Sequence, residues 1–166
     1  MFTNKYSAWI DEVVVDHPEL HMKINSEEVT LEEIYYFCLT THVNCKLEKE
    51  IPVITHAYLD LLEEKSGVKM MSSTWKRVSL ISIILASKMW DDESFENQHF
   101  AKTLEIEVEE LNMLERLFLT SLDYKMYLSA EEYSSSLVKM KNCYKTLGHN
   151  EALNELDKDL VFRFGY

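Results

Sequence analysis

Glycine and proline are scarce in this sequence, which has three glycines, Gly67, Gly148 and Gly165, and two prolines, Pro18 and Pro52, in 166 residues. β-Sandwiches and barrels need turn-forming residues about every 8–12 positions. The scarcity therefore excludes these β folds and favours long helices joined by short polar links. No two glycines lie close enough for the GxGxxG or GxxxxGK[ST] loops that bind phosphate, so nucleotide binding through those motifs is also excluded.

Cysteine is rare as well, and Cys38, Cys45 and Cys143 form an odd number with no CxxC spacing. Neither a disulfide framework nor a zinc site is indicated, and a reducing compartment fits best. The N-terminus lacks the basic and apolar regions of a secretion signal. The most apolar run, residues 78–87, is half of the roughly 20 residues that span a bilayer. We expect an intracellular protein of the cytoplasm or nucleus, without membrane insertion.

Acidic residues dominate the charge, since the net charge is −12 at pH 7 while 46% of the residues are hydrophobic. This mixture and this length predict one packed domain. An acidic protein repels phosphate backbones, so we expect no nucleic-acid partner. Five bases lie between Lys65 and Trp90 and nine acids between Asp91 and Glu115, and we interpret both runs as solvated faces of adjacent helices.

Apolar spacing and end signals predict six or seven helices. Capping boxes begin at Thr30 and Ser129, and Pro52 suits a first helical turn. The predicted helices run from Thr3 or Asn4 to His17, Leu31 to about His42, Pro52 to Gly67, Trp75 to Trp90 with Ser72 or Ser73 as the cap, about Phe95 to Thr103, Glu107 to Leu122, and Ser129 to Gly148, before a final piece with Leu153, Leu156 and Leu160.

The predicted helix Trp75–Trp90 is apolar on nearly every face, which is typical of a helix at the centre of a bundle. We therefore expect Ile81, Leu85 and at least one of the two isoleucines between them to be fully buried. Their expected neighbours are the two long helices that contain Leu61 and Leu114.

Residues that could form catalytic or metal sites lack the partners that such sites need. His17 and His21 are four residues apart, but Pro18 lies between them and no third ligand has matching spacing. The acidic run 91–93 with His99 is not accompanied by a nucleophile with a base and oxyanion donors. We interpret these groups as surface histidines and helix-capping acids, and we expect no catalytic residue, metal or cofactor.

Two charged residues stand out within apolar surroundings. Lys88 lies at the end of the apolar Trp75–Trp90 stretch, and Glu115 follows Leu114 inside the next apolar stripe. Burying either charge without a partner would be costly. They are either an ordinary solvated lysine and glutamate or charges with a mutual or external partner.

Three segments carry a family pattern, namely IPVITHAYLDLLEEKSGV, SSTWKRVSLISIILASKMWDD and TLEIEVEELNMLERLFLTSLDY. Together they resemble the cyclin box of the cyclin Y and phosphate-starvation (Pho) cyclin group, most strongly from Ile51 to Tyr124. The resemblance implies an all-α protein with a single five-helix cyclin box at 31–126. It also implies an N-terminal helix and linker at 1–30 and a C-terminal extension of one or two helices at 127–166.

The resemblance further implies a non-catalytic subunit that binds a cyclin-dependent protein kinase as a heterodimer and stabilises the active position of the kinase αC helix. In such cyclins the lysine of the ASK segment and the glutamate of the LNxLE segment contact the kinase. These positions correspond to Lys88 and Glu115. The neighbours that would face the kinase are Met89, Leu119, Tyr124 and Met126.

Some features depart from relatives or leave an alternative open. The helix from Leu31 lacks the MRAIL-type segment with which many cell-cycle cyclins dock substrates, and Glu107 stands where relatives often have a serine or threonine cap. The alternative function is a cyclin-fold adaptor of the transcription factor IIB type, which would bind nucleic acid through a basic surface. The net charge of −12 disfavours it.

Overall fold

The computed structural model describes residues 29–68, 70–72 and 74–146, without the side chain of Tyr144. Within these ranges the chain forms helices and no strands. The helices are α1 (Leu31–Asn44), α2 (Ile51–Ser66), α3 (Trp75–Trp90), α4 (Asn97–Leu104), α5 (Val108–Ser121) and α6 (Ala130–Thr146). The predicted all-α class is confirmed, and five helices lie between 31 and 126.

Local sequence signals set several of the helix ends. Thr30 and Glu33 form the predicted capping box at the start of α1. The Glu33 N–H donates to Thr30 Oγ1 at 3.2 Å, and the Thr30 N–H donates to Glu33 Oε2 at 2.9 Å. Gly67 ends α2 with a φ of 71°, a left-handed conformation that glycine adopts without steric cost. Its N–H donates to the Glu63 carbonyl at 2.9 Å.

Two other helix starts differ from the expectation or lack a cap. The residue at the N-cap of α3 is Thr74 and not Ser72 or Ser73, and its hydroxyl accepts from the Met71 N–H at 3.1 Å instead of bonding to the helix. Glu107 precedes α5 in an extended conformation and makes no side-chain capping bond. Both starts are therefore held by packing of the helix rather than by a cap.

The centre of the bundle is α3, which packs against α1, α2 and α5. Every residue from 77 to 87 is buried, and Ile81 and Ile84 are completely so. The prediction for this helix is confirmed, including its contacts with the helices that carry Leu61 and Leu114. Each large apolar side chain removed from water contributes about 1.5–3 kcal/mol to folding.

Aromatic side chains pack between the helices. Phe37 of α1 meets Trp75 of α3 edge to face, with ring centroids 5.3 Å apart. Tyr58 of α2 and Phe118 of α5 are fully buried, and their centroids lie 6.4 Å apart. Phe100 of α4 is also fully buried. Aromatic pairs of this kind add about 0.5–1.5 kcal/mol beyond the area they bury.

The chain divides into two compact units, the first ending at Tyr127 and the second beginning at Leu128. In the second unit α6 begins with the predicted capping box, where the Glu132 N–H donates to Ser129 Oγ at 3.2 Å and the Ser129 N–H donates to Glu132 Oε2 at 2.7 Å. The predicted N-terminal helix and the piece with Leu153, Leu156 and Leu160 lie outside the described residues, as does Gly148.

Candidate functional site

Lys88 and Glu115 form an ion pair between α3 and α5. Lys88 Nζ lies 2.8 Å from Glu115 Oε1, and 19% and 22% of the two side chains are exposed. Lys88 stands in the last turn of α3, where a positive charge is favourable beside the free carbonyl groups of the helix end. The two charges are thus paired with each other at a partly open position.

Asn97 supplies a second contact to the glutamate of this pair. From the first turn of α4, its side-chain amide donates to Glu115 Oε2 and, at 2.7 Å, to Asn112 Oδ1. Asn97 is itself buried. Glu115 is consequently bonded through one oxygen to α3 and through the other to α4, which fixes the orientation of its carboxylate. Sequence reasoning missed Asn97, since no local spacing links it to Glu115.

Exposed apolar side chains accompany the pair along α3 and beyond it. Met89 and Trp90 follow Lys88 and are both exposed, and Phe95 is exposed two residues before α4. At the end of α3, Ser87 Oγ donates to Asp91 Oδ2 at 2.7 Å. Exposed apolar side chains mark an interaction site where they form a contiguous patch. Of these residues only Met89 was predicted as part of the site.

The end of α5 and the segment that follows it contain the remaining predicted residues. Tyr124 is 65% exposed, whereas Met126 is only 6% exposed, and Leu119 in the last part of α5 is half-buried. Asp123 and Tyr124 have φ values of 50° and 59°. Tyr124 therefore offers its ring to solvent, while the side chain of Met126 lies within the first unit and offers little surface.

A second ion pair between α3 and α5 corrects the interpretation of the charged runs. Arg77 Nε lies 3.2 Å from Glu110 Oε1, and only 8% and 5% of the two side chains are exposed. For these two residues the expectation of solvated helix faces is wrong. A charge stays buried only when a partner offsets its lost hydration, and these two charges supply that partner for each other. Pattern alone could not pair residues 33 positions apart.

Burial lowers the reactivity of two of the described cysteines. Burial raises the pKa of the Cys38 and Cys45 thiols, which lowers the fraction of reactive thiolate. Burial also raises the pKa of Tyr58 to about 12. His99 stacks on Phe95 with centroids 4.1 Å apart. In the part of the chain that the structure describes, no three His, Cys, Asp or Glu side chains are grouped to hold a metal ion.

No helix among the described residues combines the length and the apolar character needed to cross a membrane.

Comparison with known sequences matches residues 16–126 to the sequence model of the cyclin family. Cyclin-P2-1 of Oryza sativa subsp. japonica is 30% identical over 86 residues, which cover 52% of this chain and 40% of that protein. Cyclin-U3-1 of Arabidopsis thaliana is 27% identical over 89 residues, which cover 54% of this chain and 40% of that protein. The matched segment thus spans less than half the length of these relatives.

Proposed function

Because the chain belongs to the cyclin family, whose members are regulators that bind cyclin-dependent kinases, we propose that it is the non-catalytic activating subunit of such a kinase. The proposed contact surface comprises the pair Lys88 and Glu115 with Met89, Leu119, Tyr124 and Met126, of which Met126 contributes the least exposed area. The kinase and this chain form a heterodimer. Within this complex the chain holds the kinase αC helix in the position that completes the ATP site.

The observation that carries this proposal is the preformed pair of Lys88 and Glu115 beside exposed apolar side chains. Charged groups that are already positioned favour binding, because their own side chains then lose less conformational entropy when the complex forms. Exposed Met89 and Tyr124 supply apolar area of the kind that fills a partner's pocket. Moving a kinase from 1:99 to 99:1 active requires a preference of about 5.5 kcal/mol for the active state. An interface of roughly 1,200–2,000 Å² supplies such energies.

The sequence also supports proposals on the cyclin subgroup, the domain bounds and the cellular location. We place the chain in the cyclin Y and Pho group because LASKMWDD and LNMLERLFLTSLDY occur together at the spacing of that group. The cyclin box is proposed at 31–126, between an N-terminal segment 1–30 and an extension 127–166. An intracellular location in the cytoplasm or nucleus fits the three free cysteines. The acidic net charge of −12 opposes a nucleic-acid partner.

Calorimetry with a panel of purified cyclin-dependent kinase catalytic subunits tests the proposal. At least one of them should bind the wild-type chain, and its phosphoryl-transfer rate should rise on binding. Lys88→Ala and Glu115→Ala should each weaken binding by about 2–5 kcal/mol, because one charge of the pair is left without its partner in a desolvated contact.

Two exposed residues provide matched controls. Lys102→Ala in α4 and Glu109→Ala in α5 remove the same charges away from the pair and should leave the Kd unchanged. Thermal melts of each variant separate binding from folding. Wild-type affinity in both Lys88→Ala and Glu115→Ala would contradict the site, whereas unfolding of both would make the pair structural.

A further inference from the structure

The turn that carries Tyr124 is held in an unfavourable backbone conformation. Asp123 and Tyr124 follow each other with φ values of 50° and 59°, the left-handed region that residues with a Cβ atom rarely enter. Such strain persists where the surrounding structure enforces it, and it concentrates at functional positions. Since the Tyr124 ring is 65% exposed, burial of that ring does not hold the turn.

The turn is instead fixed at its two ends. Leu122 is fully buried before it and Met126 is buried after it. The Tyr124 N–H donates to the Leu119 carbonyl at 2.8 Å, which closes the turn onto the end of α5. On the other side, the Tyr58 hydroxyl donates to the Met126 carbonyl at 2.9 Å.

Tyr58 reaches this carbonyl from α2, 68 positions earlier in the chain. Its side chain is 1% exposed and packs beside Phe118, the α5 residue one turn before Leu122. Through its hydroxyl, Tyr58 makes a hydrogen bond to the chain beyond α5. A residue so deeply buried is out of reach of a protein partner, so any influence of its hydroxyl on binding is indirect, and the hydrogen bond to Met126 leads to the turn.

We propose that Tyr58 is a positioning residue for partner binding, which acts through its hydrogen bond to the Met126 carbonyl and presents Tyr124 at the surface. This inference rests on the proposed kinase-binding function. The bond links α2 to the end of α5 and limits the orientations that the turn 123–125 can take. A partner that binds Tyr124 therefore meets a turn whose backbone is already restricted, and less conformational entropy is lost on binding.

Amide hydrogen exchange of the full chain, without any partner, tests the structural half. Tyr58→Phe removes the hydroxyl alone, and the matched control Tyr36→Phe removes an exposed hydroxyl on α1. The Tyr124 amide should exchange at least threefold faster in Tyr58→Phe and at the wild-type rate in Tyr36→Phe. The amides of α3 should be unchanged in both variants. An unaltered Tyr124 exchange rate in Tyr58→Phe would overturn the inference.

A double-mutant cycle with a kinase of the purified panel that binds the wild-type chain tests the functional half. Tyr58→Phe should weaken binding about threefold to tenfold, the range expected for one hydrogen bond. The same substitution in a Tyr124→Ala background should have no effect, because the side chain that it positions is gone. While a variant remains folded at the assay temperature, lost stability alone leaves its Kd unchanged, which a melting curve checks.

Each outcome of the cycle decides a different claim. Equal losses in the two backgrounds, or no loss in either, would overturn the role of Tyr58. Binding of the wild-type chain by no kinase of the panel would overturn the proposed function, and with it the functional half of the inference, while the exchange experiment still tests the turn. A loss of affinity in Tyr58→Phe that occurs only when Tyr124 is intact supports both the positioning role of Tyr58 and the proposed function.

Discussion

Arg77→Ala is expected to destabilise the folded chain far more than removal of an exposed base. Arg77 lies in the first turn of α3 and Glu110 in the first turn of α5, with 3.2 Å between Nε and Oε1. Only 5% of the Glu110 side chain is exposed, so the carboxylate loses its charged partner at a position with little access to bulk water. Breaking a buried pair from one side costs about 3–5 kcal/mol. This is a large share of a domain's stability of about 5–15 kcal/mol.

Urea unfolding followed by circular dichroism measures this loss, since the midpoint reports stability and the slope reports the surface exposed on unfolding. The control is Lys76→Ala, which removes an exposed base next to Arg77. The Lys76 ammonium lies 5.4 Å from the Trp75 ring centroid. The substitution should cost about 0.5–1 kcal/mol, the value of an exposed cation–π contact.

The double variant Arg77→Met with Glu110→Leu replaces both charges by apolar side chains. It separates the free energy lost with the ion pair from the cost of leaving one buried charge without its partner. Replacing a whole buried pair by apolar residues is often neutral or stabilising by about 1–4 kcal/mol. We expect the double variant to be more stable than Arg77→Ala. Stability of Arg77→Ala within about 1 kcal/mol of wild type would refute the reasoning, because Glu110 would then tolerate burial without this partner.

Two further predictions concern the core. Ile81→Ala should lower the free energy of unfolding by about 2–5 kcal/mol in the same urea experiment, because the residue is fully buried at the centre of α3, and a cost below about 1 kcal/mol would contradict that position. Burial raises the pKa of Tyr58 to about 12, against about 10 in an unfolded chain, so the folded state keeps a proton that the unfolded state releases. Stability should therefore fall by up to about 2–3 kcal/mol between about pH 10 and 12, and Tyr58→Phe should lack that part of the fall.

The parts of the fold that the sequence predicted are those governed by local chemistry. The Thr30 and Ser129 capping boxes and the Gly67 stop each depend on residues within one turn. The central position of Trp75–Trp90 followed from a composition that only a fully surrounded helix tolerates. These features need no knowledge of which helices touch.

The features that sequence reasoning missed depend on contacts between distant elements. Arg77 pairs with Glu110 and Asn97 with Glu115 because α3, α4 and α5 come together, and periodicity does not encode that approach. Lys88 and Glu115 stood out only because each interrupts an apolar run. The exposed Trp90 and Phe95 were missed because an apolar residue in sequence is first taken as core.

Hydroxyl-radical footprinting of the full chain, free and bound to a kinase of the purified panel, tests most directly whether the surface around Lys88 and Glu115 is the binding surface. Met89 and Tyr124 are exposed side chains that radicals oxidise readily, and Tyr35 and Tyr36 on α1 serve as exposed references. If this surface binds the kinase, oxidation of Met89 and Tyr124 falls on binding while that of the two references stays constant. Protection of Tyr35 and Tyr36 with unchanged oxidation of Met89 and Tyr124 would contradict it.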